Sequence, residues 1–215
     1  MSGDPYSAAG TEGSPVAARN RGYSGAMRVM HAGTVALLLG SYLAAWALGG
    51  AATSAQAARL LMLHRSFGVT ILVLTLVRLA WRQCTWVPPL PADLPGIQRL
   101  AARAGAVVLY MLLVLQPALG LAGSMLHGDR IVVFGSILVP NLLATSRPLA
   151  RQVFQAHGLV ALLFLAMACM HVAAALYHHF IRRDEVLSGM IPGVQTIRRS
   201  GKSPRARAPH ASMPH

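Results

Sequence analysis

The chain is expected to be an all-α membrane protein, a bundle of four membrane-spanning helices. Three observations lead there. Charged residues make up 12% of the sequence and hydrophobic ones 54%, whereas soluble domains carry about 25% charged residues. The apolar residues gather into four blocks, each long enough to cross a hydrocarbon core of about 30 Å. Short stretches rich in Arg, Pro and Gly separate the blocks. Such a chain forms one bundle rather than two globular units, whatever its 215 residues would mean for a soluble protein.

Residues 1–25 are rich in Gly, Ser, Ala and Pro. They lack apolar periodicity and read as a flexible cytoplasmic tail. Residues 29–50 form the first block. The small residues of Thr53-Ser-Ala-Gln-Ala57 resemble a signal-peptide cleavage site, but the block exceeds the ~7–15 apolar residues of a signal core. It is therefore read as a retained span. Residues 60–81 form the second span and 100–126 the third, where Gln116-Pro117 is expected to kink the helix. Pro88-Pro89-Leu90-Pro91 with Pro95-Gly96 marks the connection between these two. Between 127 and 151 a semi-apolar patch, Ile131 to Phe134, and Pro140 predict a segment lying along the interface. The fourth span, 152–181, completes a membrane domain over 26–192, and a basic disordered cytoplasmic tail occupies 193–215.

The formal net charge is +13. With four spans and both ends on one side, Arg59, Arg65, Arg130, Arg147 and Arg151 fall on one face of the membrane. The other 14 basic residues, from a total of 19, fall on the opposite face. The positive-inside rule makes the richer face cytoplasmic and the poorer one outer, so both termini are expected inside. Topology and lipid-headgroup contact account for the basic excess, and nucleic-acid binding is set aside. Cys84 and Cys169 form no Cys-x-x-Cys pair, and no Cys-x-x-Cys-His occurs. Covalent c-type haem attachment is excluded on that ground, and both thiols are expected to be buried and inert.

Four histidines fall within the spans. His157 and His171 lie fourteen residues apart on the fourth. At about 100° and 1.5 Å per residue they share a face and differ by roughly 21 Å in depth. His31 lies near the cytoplasmic start of the first span, and His64 near the outer start of the second. Depth therefore pairs His31 with His171 and His64 with His157. One mismatch remains: His171 is eleven residues from Arg182, but His31 is only three from Arg28. Either the fourth helix extends beyond the hydrocarbon or Arg28 reaches outward. Polar side chains in hydrocarbon are costly and mark functional sites. Zinc takes about four protein ligands, while each level here offers two. A porphyrin supplies four equatorial nitrogens, so two imidazoles complete its octahedron and leave electron transfer as the chemistry. Gly68 and Gly158 lie beside the ligands, where a flat macrocycle needs close approach. The competing reading is a set of structural core histidines bonded across helices.

Arg78 lies fourteen residues after His64, on the same face and at the cytoplasmic level. Two readings stand. Its guanidinium grips a haem propionate, or it extends to the headgroups beside Arg82. His178 continues the His171 stripe at the cytoplasmic interface, where a propionate, a quinone headgroup and plain interfacial placement are all open. His179 points elsewhere. His127 finds no partner at its depth, and His210 and His215 fall in the tail.

The sequence resembles the bacterial cytochrome b561 family of four-span di-haem proteins. The resemblance is carried by His31, by His64 with Gly68 and Arg78-Leu79, and by Leu109-Tyr-Met-Leu-Leu with Pro117 and Gly120-Leu121. His157-Gly158, His171-Val-Ala-Ala-Ala-Leu-Tyr-His178-His179-Phe180, Ile181-Arg-Arg-Asp184 and Met190-Ile-Pro192 continue it. Ala32 stands where the family often has Trp, and Ala101-Ala-Arg103-Ala where it often has His. Those departures leave the four ligands intact and bear on any quinone or redox-partner surface. The resemblance implies two haem b groups on four histidines and electron exchange with ubiquinone or another quinone. Some members oxidise superoxide at the outer face, and the outer arginines could steer that anion inward or simply contact lipid. Two alternatives remain: a membrane anchor relaying electrons for a separate dehydrogenase or hydrogenase through a redox-protein donor, and a non-redox structural protein.

Overall fold

The computed structural model describes residues 23–85, 95–183 and 186–190. Most of the N-terminal tail, the Pro88–Pro91 connection, Asp184 and the basic C-terminal tail lie outside the described residues. Helix α1 (Gly25–Leu48) begins at Ser24, whose hydroxyl accepts from the Met27 amide. Helix α2 (Ser54–Cys84) begins at Thr53, whose hydroxyl accepts from the Gln56 amide at 3.2 Å. The Gln56 side chain reaches back to the Ala52 amide at 3.0 Å. The small residues resembling a cleavage site are thus a reciprocal helix cap, which satisfies two amides that would otherwise lack partners.

Helix α3 (Gly96–His127) runs on through Pro117 and is closed by Gly128, whose φ of 88° is the left-handed geometry glycine adopts freely. Helix α4 (Arg147–Tyr177) has Pro148 in its first turn and continues into a π-helical turn, His178–Arg182. A short helix α5 (Val186–Met190) follows. The helices α1 to α4 are each long and apolar enough to cross a membrane. The fourth reaches Arg182 without a break, so helix extension accommodates the depth mismatch between His31 and His171.

The segment expected to lie along the interface contains a hairpin. Strands β1 (Ile131–Val133) and β2 (Ile137–Val139) pair antiparallel, Ile131 opposite Val139. Ile131 and Val133 are buried, and β1 packs on α2. Phe134 at the tip has φ 49°. Its amide donates to the Ser66 hydroxyl at 2.8 Å, and its ring meets that of Phe67. Ser66 is fully buried and also donates to the Met62 carbonyl, so both of its hydrogen-bonding roles are used.

Helix α1 packs along α2 and α3 along α4, with α2 also touching α3. The buried face of α1 carries Met27, Thr34 and Ser41, a seven-residue repeat of mostly small polar side chains. Mid-bundle, Ile71, Leu112, Leu113 and Phe164 form the apolar core. Tyr42 crosses from α1 to α4 and donates to the Ala161 carbonyl at 2.7 Å. Close α3–α4 contact depends on Gly123, where a Cβ would lie 2.7 Å from the Phe154 ring. Large apolar side chains such as Leu39, Leu43, Leu159 and Leu162 face outward, as expected where lipid tails are the solvent. Cys84 and Cys169 are unpaired but exposed. The expected burial of both thiols is corrected, because both stand on outward-facing parts of their helices.

Candidate functional site

Helix α4 is the shared wall of two histidine pairs. The ring centroids of His31 on α1 and His171 on α4 are 6.5 Å apart at an interplanar angle of 70°. Those of His64 on α2 and His157 on α4 are 6.1 Å apart at 90°. These are the combinations that depth predicts. Among the described residues no three of His, Cys, Asp and Glu gather around one point. Each level offers two imidazoles and nothing more.

The spacing is informative. Two metal–nitrogen bonds of about 2.0–2.1 Å, with about 1.1 Å from each ring nitrogen to its centroid, would allow two imidazoles holding one ion a centroid separation of up to roughly 6.3 Å. Both observed separations lie close to that figure. The residues present therefore fit an ion that brings its own equatorial donors.

The His64–His157 pair is further prepared by its hydrogen bonds. His64 Nδ1 lies 3.0 Å from the Ser41 carbonyl oxygen and 3.1 Å from the Ser41 hydroxyl. His157 Nδ1 lies 3.0 Å from the Gln116 carbonyl oxygen. A carbonyl only accepts, so in both rings Nδ1 carries the proton; Nε2 of His64 keeps its lone pair for a metal, whereas that of His157 is met by the Gln116 side-chain amide, which an incoming metal would have to displace. The Gln116 amide donates to His157 Nε2 at 3.2 Å and leaves its own Oε1 buried without a partner. Gly120 permits the arrangement: a Cβ there would lie 2.9 Å from His157 Cε1. Close backbone approach thus occurs at Gly120 against the imidazole. Gly158 is exposed with nothing within 4 Å of an added Cβ, and Gly68 faces Pro117 at 3.9 Å.

Sequence reasoning left Ser41 and Gln116 out of the site. The small-polar repeat on α1 was a signal for Ser41. A backbone carbonyl carries no sequence signal at all.

Arg78 is only 8% exposed. It lies on the buried face of α2 with its guanidinium 5.5 Å from the Tyr110 ring centroid. Its Nε has no hydrogen-bond partner among the described residues. It does not extend outward beside Arg82, so the headgroup reading does not hold. A buried guanidinium calls for an anion. Asp129, at the other end of the bundle, is the sole carboxylate among the described residues.

Asp129 is engaged there by Arg65 and by His127 Nδ1, the latter at 2.8 Å. His127 is therefore part of a loop latch. Arg59, Arg130, Arg147 and Arg151 are left exposed on that face, with Arg147, Arg151, His127, Phe154 and Gln155 lining a cavity of about 500 Å³. At the opposite end His178 opens the π-helical turn with its ring against Tyr177, while His179 turns toward Phe180.

Four spans with facing imidazoles on a shared helix are the architecture of a membrane cytochrome. The profile of the prokaryotic cytochrome b561 family matches residues 22–193, and the chain belongs to that family. It is similar to cytochrome b561 homolog 2 of Escherichia coli (strain K12), 37% identical over 133 residues, covering 60% of this chain and 69% of that protein. It is also similar to the probable superoxide oxidase CybB of Yersinia pestis, 32% identical over 132 residues, covering 61% of this chain and 74% of that one. The protein is thus a multi-pass bacterial membrane protein of b-type haem electron transfer.

Proposed function

We propose that this cytochrome holds two b haems, one between His31 and His171 and one between His64 and His157, and carries electrons from the outer face to the membrane quinone pool. The observation carrying this reading is the pair of facing imidazoles at each end of α4, with centroid separations of 6.5 and 6.1 Å. Haem supplies one-electron chemistry when bound. The chain's own residues do the rest. The Ser41 and Gln116 carbonyls orient the outer rings. The mid-bundle core around Phe164 keeps water from the space between the levels. Arg78 offers its buried fork to an inner propionate.

Both termini lie in the cytoplasm in this reading, which places the five arginines outside. Superoxide is the outer donor favoured by the similarity to a probable superoxide oxidase and by this cationic face, since exposed cations raise the local concentration of a small anion.

Pigment analysis of the purified protein should give two haems per chain with sharp low-spin bands on reduction. A colourless protein would sink the reading. His64→Ala or His157→Ala should remove about half of the pigment, and His31→Ala or His171→Ala the other half. Equal loss of all pigment in each well-folded variant would argue against independent sites. Superoxide added with ubiquinone should be consumed faster than in the uncatalysed reaction, and consumption that falls as ionic strength rises would support steering. No acceleration would remove superoxide as the donor.

A further inference from the structure

The two histidine pairs do not share the same surroundings. Each outer ring donates its Nδ1 proton to a backbone carbonyl, His64 to Ser41 and His157 to Gln116, both at 3.0 Å. Neither His31 nor His171 has a hydrogen-bond partner among the described residues. They have instead Arg78, buried on α2 fourteen residues beyond His64 and so about 21 Å further along the bundle, at their own level.

These differences act in opposite directions on a bound iron. An imidazole that donates from Nδ1 becomes more basic at Nε2, and a more basic ligand favours the more highly charged ferric ion. Reduction adds one negative charge to the site, and a nearby fixed cation in a low-dielectric interior favours that addition.

We propose that the bundle sets the direction of electron flow by this asymmetry: the Ser41 and Gln116 carbonyls give the outer site the lower reduction potential, and Arg78 gives the inner site the higher one. The inference rests on the reading that both pairs ligate haem. With haem held at both levels, one electron would pass from the outer site, oxidised by one, to the inner site, reduced by one, and no proton would be transferred in that step. Gly120 is the positioning residue for the outer half of the device. Any side chain there would push the His157 ring away from the Gln116 carbonyl, since a Cβ would stand 2.9 Å from Cε1 and 3.2 Å from Nδ1.

The test is a spectroelectrochemical titration of the full chain in lipid nanodiscs. The unmodified protein should reduce in two separate one-electron steps. Gly120→Ala should raise the lower-potential step and leave the upper one in place. Arg78→Met should lower the upper step and leave the lower one in place. Ser41→Ala keeps its carbonyl and removes only the hydroxyl contact at 3.1 Å. It should give a smaller upward shift of the lower step, and it serves if Gly120→Ala does not retain pigment. The inference is overturned if Gly120→Ala or Ser41→Ala moves the upper step, if Arg78→Met moves the lower one, or if the two steps coincide. Failure of the underlying reading looks different: the unmodified protein would carry no haem, and there would be nothing to titrate.

Discussion

Asp129 carries an electrostatic load out of proportion to its size. Partial burial by itself would push its carboxyl up, but the hydrogen bond from His127 and the charge of Arg65 together hold it below the ordinary carboxylate value. A carboxyl depressed in the folded state stabilises the fold at pH values above its ordinary range. That contribution disappears as pH falls through the folded-state value. Asp129→Asn should therefore cost roughly 1 kcal/mol near neutrality, since the pair is only partly shielded from water. Thermal unfolding in detergent checks this, and the gap between the two proteins should close in strong acid. A gap of constant size across the titration would mean that the carboxylate charge is not its origin. The acid and its neighbours were visible in the sequence, but their convergence was not. Arg65 and Asp129 are separated by a whole helix and a loop.

The hairpin 131–139 is pinned to α2 through one hydroxyl. Ser66→Ala would leave the Phe134 amide without its acceptor at the closed tip, a loss of about 1 kcal/mol for a partly buried hydrogen bond. Hydrogen exchange should then accelerate across the hairpin while the amides of α2 stay protected. Protection unchanged in the hairpin would mean that the Phe67–Phe134 ring contact is sufficient by itself. Three-residue strands are too short for an alternating pattern to stand out, so Ile131-Val-Val-Phe134 read only as an apolar patch. The positive φ of Phe134 is equally hidden, because that geometry is expected of Gly or Asn rather than a large aromatic residue. By contrast, Thr53 and Gln56 have the spacing of a reciprocal cap, and the start of α2 was legible once the stretch was read as helix.

Across the bundle, the placement of α4 against both α1 and α2 turns four separate histidines into two sites. The basic residues, 14 on one face against five on the other out of 19, predict the orientation in the membrane. A fluorescent protein fused to the C-terminus should fold and glow in cells, whereas alkaline phosphatase at the same point should stay inactive. A phosphatase fusion inserted in the β1–β2 turn should show the opposite behaviour. Reversal of these results would exchange the outer and inner labels of the two histidine pairs and with them the assigned donor side.

The sequence by itself determined the four spans, the depths of His31, His64, His157 and His171, and their pairing. Hydropathy and helical pitch are local properties, and a fourteen-residue interval fixes both face and depth along one helix. Only the tertiary structure decided that Arg78 is buried, that Gly120 faces the His157 ring, and that the Ser41 and Gln116 carbonyls meet the His64 and His157 imidazoles. Those outcomes depend on interhelical distances of a few ångströms and on backbone atoms that every residue shares, so no choice of side chain along the chain encodes them individually.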